Sequence, residues 1–219
     1  AKGPARPTGG CGAVAVLVGP NAPLVVNQKT RASYACDVWD FFKPDMSSEY
    51  PQVNGQLSQM CYLRALDSCY DKLSKKKLKQ QQQQQQRPFV LEDVQHVLCH
   101  SPYNKLVQKS FARLAFSDAR RLRKAGSPLC HTLPSPCACV TEIIPQETYD
   151  DRELEKALKS FAGVGSEPYR RMVEPGCRLS KQIGNTYTAS VFANIVCLVD
   201  AHGSSLEGET ALVFSYGSG

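Results

Sequence analysis

The sequence has no apolar run approaching the ~20 residues that a helix needs to cross a bilayer, which argues against a membrane span. Its first residues, Ala1 to Gly10, contain no apolar core of the kind a secretory signal requires. There is no initiator Met, and the last residues, Ser215 to Gly219, form a glycine-rich turn directly behind an apolar stretch. Both ends therefore read as cut. No internal repeat is present. No recognition helix or aromatic ribonucleoprotein strand accompanies the basic residues, so nucleic acid is not an expected partner.

What the sequence does contain suits a packed domain. Apolar residues make up 42% of its 219 residues, enough for a core and too many for a disordered chain. The formal charge of +6 is modest, and much of it lies in two clusters, Lys72 to Lys79 and Arg120 to Lys124. Such clusters read first as solvated faces and second as attraction to an anionic ligand. Cysteine is abundant, with ten residues, yet without a secretory signal these are expected to be reduced. Cys61, Cys69, Cys99 and Cys197 sit in apolar periodic segments, where cysteine behaves as a small buried hydrophobe. Cys130, His131, Cys137 and Cys139 crowd one Pro-rich stretch, but their spacing fits no common zinc module, so no metal site is assigned.

The hydropathy pattern predicts alternating strands and helices, hence an α/β fold. Gly12 to Val18 is continuously apolar and reads as a strand buried on both faces. Residues 21–54 read as extended segments and loops. Leu57 to Lys79 reads as a helix with Tyr62, Leu66, Cys69 and Leu73 on one face. The glutamines Gln80 to Gln86 cannot bury apolar surface and belong in an exposed loop. A short helical turn and a strand ending near Cys99 are expected within Phe89 to Cys99. A helix follows from Ser101 and Pro102 to about Phe116. Residues 120–145 read as an irregular loop. Asp150 is a candidate cap for a helix with the stripe Leu154, Ala157, Leu158 and Phe161. Residues 163–180 read as irregular, Tyr187 to Ala201 as an apolar helix, and Ala211 to Phe214 as a short buried strand.

One segment carries chemistry. His100 stands where an apolar strand gives way to a helix, and open α/β sheets bind ligands at strand carboxyl ends. Lys105 and Lys109 are four residues apart, about 40° from each other on a helix. Val107, Phe111 and Leu114 lie opposite and would pack inward. Two ammoniums one turn apart near a helix start suit a polyphosphate such as that of coenzyme A, beside an imidazole that titrates near neutrality. The plainer readings are a solvated lysine face and a hydrogen-bonded structural histidine.

The stretch His100 to Tyr103 followed by Lys105 to Ser110 resembles the segment around the catalytic histidine of hydroxymethylglutaryl-CoA synthases, members of the thiolase superfamily. Other stretches resemble the family in the same order: Ala5 to Gly10, Gly12 to Ala15, Gly19 to Leu24, Asp40 to Asp45, Ser48 to Pro51, Leu57 with Ser58, Cys61 to Leu63, Gly184 to Ser190, and Phe214 to Gly219. The likeness spans nearly the whole chain except the glutamines and the loops around 120–145 and 163–180.

The resemblance implies a thiolase-like layered α-β-α-β-α fold, here incomplete. Residues 1–26 would close the first half and residues 27–219 form most of the second. It implies an acyltransferase that condenses acetyl-CoA with acetoacetyl-CoA and water to give 3-hydroxy-3-methylglutaryl-CoA and CoA, in the mevalonate pathway. His100 matches the histidine that orients and polarises acetoacetyl-CoA. Lys105 and Lys109 match CoA-binding lysines. Thr8, Ser58, Asn185 and Ser215 match acyl-CoA contacts, and Asp40 and Tyr187 match residues supporting the active site. The asparagine's ordinary alternative is a helix N-cap. The glycine-rich turn after Ser215 is a candidate anion-binding nest. No cofactor is implied beyond the CoA thioesters themselves. A homodimer in the cytoplasm is expected, with a mitochondrial form as the alternative and neither membrane nor nucleic acid as partner.

The sequence also departs from the family. The cysteine nucleophile and glutamate base would lie upstream of Ala5, so this chain alone is expected to be inactive. Cys99 adjoins His100, but strand neighbours point to opposite faces. Cys11 is explained by packing. Pro4 stands where the family tends to have a ligand-contacting asparagine. The alternative reading is a non-catalytic CoA-binding or interaction protein derived from the same fold.

Overall fold

The computed structural model describes residues 3–48, 50–80, 88–127 and 148–217. Among the described residues, two long helices and four shorter ones surround a short parallel strand pair, with a small antiparallel hairpin beside them.

Helix α1, Gly55–Gln80, starts where Asn54 accepts the Leu57 N–H on its side chain and the Ser58 N–H on its carbonyl. Tyr62, Leu66 and Tyr70 recur every fourth residue and are all at most 2% exposed. The helix therefore presents one apolar stripe to the core. Helix α2, Asn104–Lys124, buries Leu106, Val107, Phe111 and Leu114 and packs on α1. It runs eight residues beyond Phe116, the end expected from the sequence. Phe116, Asp118 and Ala119 stay buried, and the basic cluster 120–124 is the last helical turns rather than the start of a loop. Arginine and lysine are favourable there because they face the negative end of the helix dipole. The rest of the expected loop at 120–145, apart from residues up to 127, lies outside the described residues, as does the glutamine stretch beyond Gln80.

Buried polar contacts fix how α1 meets α2. Asp67 accepts from Arg113 Nε at 2.8 Å and from Tyr149 Oη at 2.9 Å, and Arg113 also reaches the Thr148 hydroxyl. Asp118 accepts from Tyr70 Oη at 2.9 Å, the Leu91 N–H at 2.8 Å and Arg121 at 3.2 Å. Buried carboxyl oxygens are tolerated only when such donors satisfy them.

Strand β1, Phe41–Phe42, pairs antiparallel with β2, Gln52–Val53. Strand β3, His96–Cys99, is buried along its whole length and pairs parallel with β4, Ala211–Phe214, in the register His96 to Ala211 and Cys99 to Phe214. The residues between these strands include helices α3, Arg152–Phe161, α4, Glu167–Met172, α5, Arg178–Ile183, and α6, Ser190–His202. Parallel strands require such a crossover.

Several expectations are corrected. Residues 12–18 form no strand: Leu17 is 97% and Val18 88% exposed, and no described strand hydrogen-bonds to them. A strand needs a partner for its backbone groups, and apolarity alone cannot supply one. The stretch 163–180 is largely helical, through α4 and the start of α5, because Tyr169, Met172, Val173 and Cys177 bury themselves against the core. Asp151, not Asp150, caps α3, accepting the Glu153 and Leu154 N–H groups at 3.0 Å each. Strand β4 is only half covered, with Val213 45% exposed. Finally, Tyr187–Leu206 is a 20-residue, largely helical stretch apolar enough for a membrane span, contrary to the reading that no such run exists. Only its inner face is buried here, and Asn194 on that face donates to the Cys99 carbonyl at 2.8 Å. Phe192, Val196 and Val199 on its other side remain exposed.

Candidate functional site

His100 follows β3 directly. Its N–H donates to the Phe214 carbonyl at 2.8 Å, extending the parallel ladder by one bond, and its carbonyl accepts from Tyr62 Oη at 2.7 Å. Both backbone groups are thus fixed, so the imidazole is carried on a rigid support. Its residue is 7% exposed, and burial pushes the imidazole down to about 4. Near pH 7 the ring is neutral, with one nitrogen able to accept a proton and the other to donate a hydrogen bond.

Around it lies an aromatic and acidic wall. The Tyr62 ring is 6.4 Å from the His100 ring, 5.2 Å from Phe214 and 5.1 Å from Tyr216. Tyr216 Oη donates to Asp40 Oδ2 at 3.3 Å, and Asp40 is 3% exposed. Burial, then the neighbouring Asp40 charge, pushes the Tyr216 phenol up, so it stays a donor. The expected support residue Asp40 is thus joined to His100 through Tyr216 and Tyr62. Ser58 lies one turn before Tyr62 on the same side of α1 and is half-buried. Ser215 sits between the carbonyl that holds His100 and the phenol that holds Asp40. It is exposed; Ser218 and Gly219 of the proposed nest lie outside the described residues.

Thr8, Asn185 and Tyr187 form a second group. The Asn185 N–H donates to the Thr8 carbonyl at 2.8 Å, and the Asn185 carbonyl accepts the Gly10 N–H at 2.9 Å. Gly184 makes this approach possible: its φ is +80°, and an added Cβ would lie 2.7 Å from the Thr8 carbonyl oxygen. Asn185 Oδ1 accepts the Tyr187 N–H at 2.8 Å in a local side-chain turn; Asn185 is not a helix N-cap, because Thr186 and Ala189 hold the cap positions of the 187–189 turn and of α6. Tyr187 itself is left-handed, with φ of +52°, and is half-exposed. The two groups are linked: the 3–8 turn packs on β2, the Asn54 N–H after β2 donates to the Asp40 carbonyl at 2.8 Å, and Ser190 Oγ accepts the Ser101 N–H at 3.0 Å.

The two lysines are not equivalent. Lys105 is exposed, whereas Lys109 is paired with Glu155 at 2.8 Å and donates to Gln59 at 2.9 Å. The face on which the helix period puts them together is divided by the arrival of α3. A polar crevice of about 270 Å³ opens beside Lys109, with Gln59, Met60, Arg152 and Glu155 on its walls.

Four of the described thiols are held in their protonated, poorly nucleophilic form by burial. Burial pushes Cys99 up to about 12 and Cys177 to about 11, and raises Cys61 and Cys69. All seven described cysteines are free. Among the described residues no group of three or more His, Cys, Asp or Glu could hold a metal. Cys130, His131, Cys137 and Cys139 lie outside them. Sequence reasoning missed Tyr62, Tyr216, Ser190 and Asn194 as site-building residues. Tyr62 appeared only as core, and a buried hydroxyl in a helix stripe was the available signal.

The parallel pair of β3 and β4, joined by a crossover of helices and carrying His100 at its end, is an α/β arrangement. The fold is like that of the solved structure of MvaS in complex with 3-hydroxy-3-methylglutaryl coenzyme A, with a TM-score of 0.65 over 88% of this chain and 40% of the other, at 23% identity. It is also like an HMG-CoA synthase complexed with CoA, with a TM-score of 0.50 over 86% of this chain and 35% of the other, at 22% identity.

Residues 24–219 match the hydroxymethylglutaryl-coenzyme A synthase C-terminal family, and the chain belongs to that family. Hydroxymethylglutaryl-CoA synthase A of Dictyostelium discoideum is 43% identical over 218 residues, covering 100% of this chain and 42% of the relative. The mitochondrial synthase of Homo sapiens is 40% identical over 220 residues, covering 100% and 42%. The cytoplasmic synthase of Mus musculus is 40% identical over 221 residues, covering 100% and 41%. The chain thus spans less than half the length of these relatives, which come from both compartments.

Proposed function

We propose that this chain supplies the acetoacetyl-CoA side of a hydroxymethylglutaryl-CoA synthase, which joins acetyl-CoA to acetoacetyl-CoA and, with water, yields 3-hydroxy-3-methylglutaryl-CoA and CoA. The observation that carries the proposal is the position of His100: its backbone N–H and carbonyl are held by the Phe214 carbonyl and the Tyr62 hydroxyl, so its buried imidazole is carried at a fixed strand end next to Ser215. A neutral imidazole polarises a ketone by donating a hydrogen bond and exchanges a proton with the developing alkoxide. Lys105 and Lys109 would meet the CoA phosphates. The Asn185 NH2 would donate to an acyl oxygen, and Thr8, Ser58 and Ser215 would line the acyl chain. Asp40, acting through Tyr216, and Tyr187 would hold the wall in place.

In this reading the cysteine nucleophile and glutamate base lie outside residues 24–219, the part that matches the C-terminal family. The complete enzyme in this reading is a cytoplasmic homodimer dividing near residue 26, and it needs no cofactor besides its CoA substrates. The free state of the described cysteines suits a reducing compartment. Calorimetric titration of this chain with acetoacetyl-CoA tests the proposal. Binding that weakens at least tenfold in His100→Ala is expected, and no binding by the unaltered chain would remove the reading.

The second reading is a CoA-binding protein without catalysis; the buried Cys99 and Cys177 are inert thiols in both. Mass spectrometry after incubation with labelled acetyl-CoA should find no adduct on this chain in either case. Joining the chain to the remaining portion of one of its relatives separates the two: condensation by the joined protein supports the enzyme.

A further inference from the structure

The lysine expected to meet a phosphate already holds an anion from within the chain. Lys109 Nζ is 2.8 Å from Glu155 Oε2, and Glu155 Oε1 is 2.7 Å from Lys159 Nζ. The side chains of Lys109 and Glu155 are 19% and 32% exposed, so water competes only partly for either charge. Burial raises the Glu155 carboxyl, but the hydrogen bonds from Lys109 and Lys159 outweigh it and hold the group below the ordinary carboxylate range. It is an anion at neutral pH.

A carboxylate and a phosphate ask the same thing of an ammonium, namely a short charge-assisted hydrogen bond. One lysine cannot give its full charge to both. Resting on the reading of this chain as an acyl-CoA-binding part, we propose that Glu155 is a resident competitor for Lys109, and that a coenzyme A phosphate binds there by displacing it.

The surroundings make the exchange feasible. Glu155 lies on the first turns of α3, a ten-residue helix, and keeps a second cation, Lys159, to which it can retreat. The crevice of about 270 Å³ beside the pair gives an incoming phosphate room, with Arg152 on its wall as a further cation. Gln59 stays behind to orient the lysine through its 2.9 Å hydrogen bond. Exposed Lys105, one turn earlier on α2, can meet the ligand before the exchange. Glu155 is thus a residue that sets affinity without touching the reacting atoms.

Calorimetric titration of the full chain with coenzyme A tests this. Glu155→Gln preserves shape and should tighten binding roughly two- to fivefold, the range of a partly exposed charge pair. Glu153→Gln makes the same change in net charge on the same helix. Glu153 pairs with Lys156 in solvent, both side chains being at least 74% exposed, so binding should stay unchanged. Adding Lys109→Ala to Glu155→Gln should abolish the gain. Equal tightening by Glu153→Gln, or a gain that survives Lys109→Ala, would overturn the proposal, because general charge would then be the cause. Unchanged or weaker binding by Glu155→Gln would overturn it too and make Glu155 a support for Lys109. Failure of every variant and of the unaltered chain to bind coenzyme A would instead bring down the acyl-CoA reading itself, and the proposal with it.

Discussion

The phenolic hydroxyl of Tyr62 donates to the carbonyl of His100 at 2.7 Å, across 38 residues of sequence, and so ties the middle of α1 to the carboxyl end of β3. Both partners are buried, Tyr62 at 1% and His100 at 7% exposure. Tyr62→Phe leaves that carbonyl without this donor in a dry site, which costs about 1–3 kcal/mol. Urea unfolding should show this loss; under the proposed function, acetoacetyl-CoA binding should weaken as well, as the His100 support loosens. A variant as stable as the parent would mean that the bond is replaced by water.

Stability should depend on pH through two buried groups of opposite slope. His100, at about 4 when folded against an ordinary value near 6.5, is fully neutral-stabilised above pH 6.5 and loses that contribution as pH falls through 4. The difference corresponds to about 3 kcal/mol. Asp118 runs the other way: burial pushes it up to about 7, so its contribution is fully present below the unfolded value near 4 and is lost as pH rises through 7. Between pH 4 and 6.5 the two partly cancel. His100→Phe should therefore make stability fall with rising pH across this window, and Asp118→Asn should make it rise. Identical slopes in both variants would refute the assignment.

The bridge between Thr8 and Asn185 rests on one glycine. At Gly184 a side chain meets both a left-handed φ of +80° and the Thr8 carbonyl oxygen at 2.7 Å. Gly184→Ala is expected to separate residues 8–10 from 184–185, with a cost of about 1–3 kcal/mol and faster proteolysis before residue 12. Unchanged protease sensitivity would show that the bridge holds by other means.

Arg113 is 3% exposed and binds Asp67 at 2.8 Å. Arg113→Leu strands that carboxylate between α1 and α2, which costs about 3–5 kcal/mol. The double variant Asp67→Leu with Arg113→Leu should recover part of the loss. Additive losses would argue against a coupled pair.

Read alone, the sequence determined the elements whose pattern is local. The stripe Tyr62, Leu66 and Leu73 gives α1, the apolar run before His100 gives β3, and the ordered motifs from Ala5 to Gly219 give the family, which residues 24–219 match. Such signals survive because helix periodicity and motif spacing need no distant partner. The tertiary structure decided everything that depends on what lies opposite. Residues 12–18 are apolar yet exposed because no described strand pairs with them. Residues 167–183 are helical despite weak periodicity because Tyr169 and Cys177 find a core to enter. Lys105 and Lys109 share a helix face in sequence, but only in three dimensions does Glu155 reach one of them. Tyr62 and Tyr216 join Asp40 to His100 only because α1, β3 and β4 converge. Local spacing names the reactive groups; packing sets their protonation and their partners, because burial and charge are properties of neighbours that the chain brings from far away.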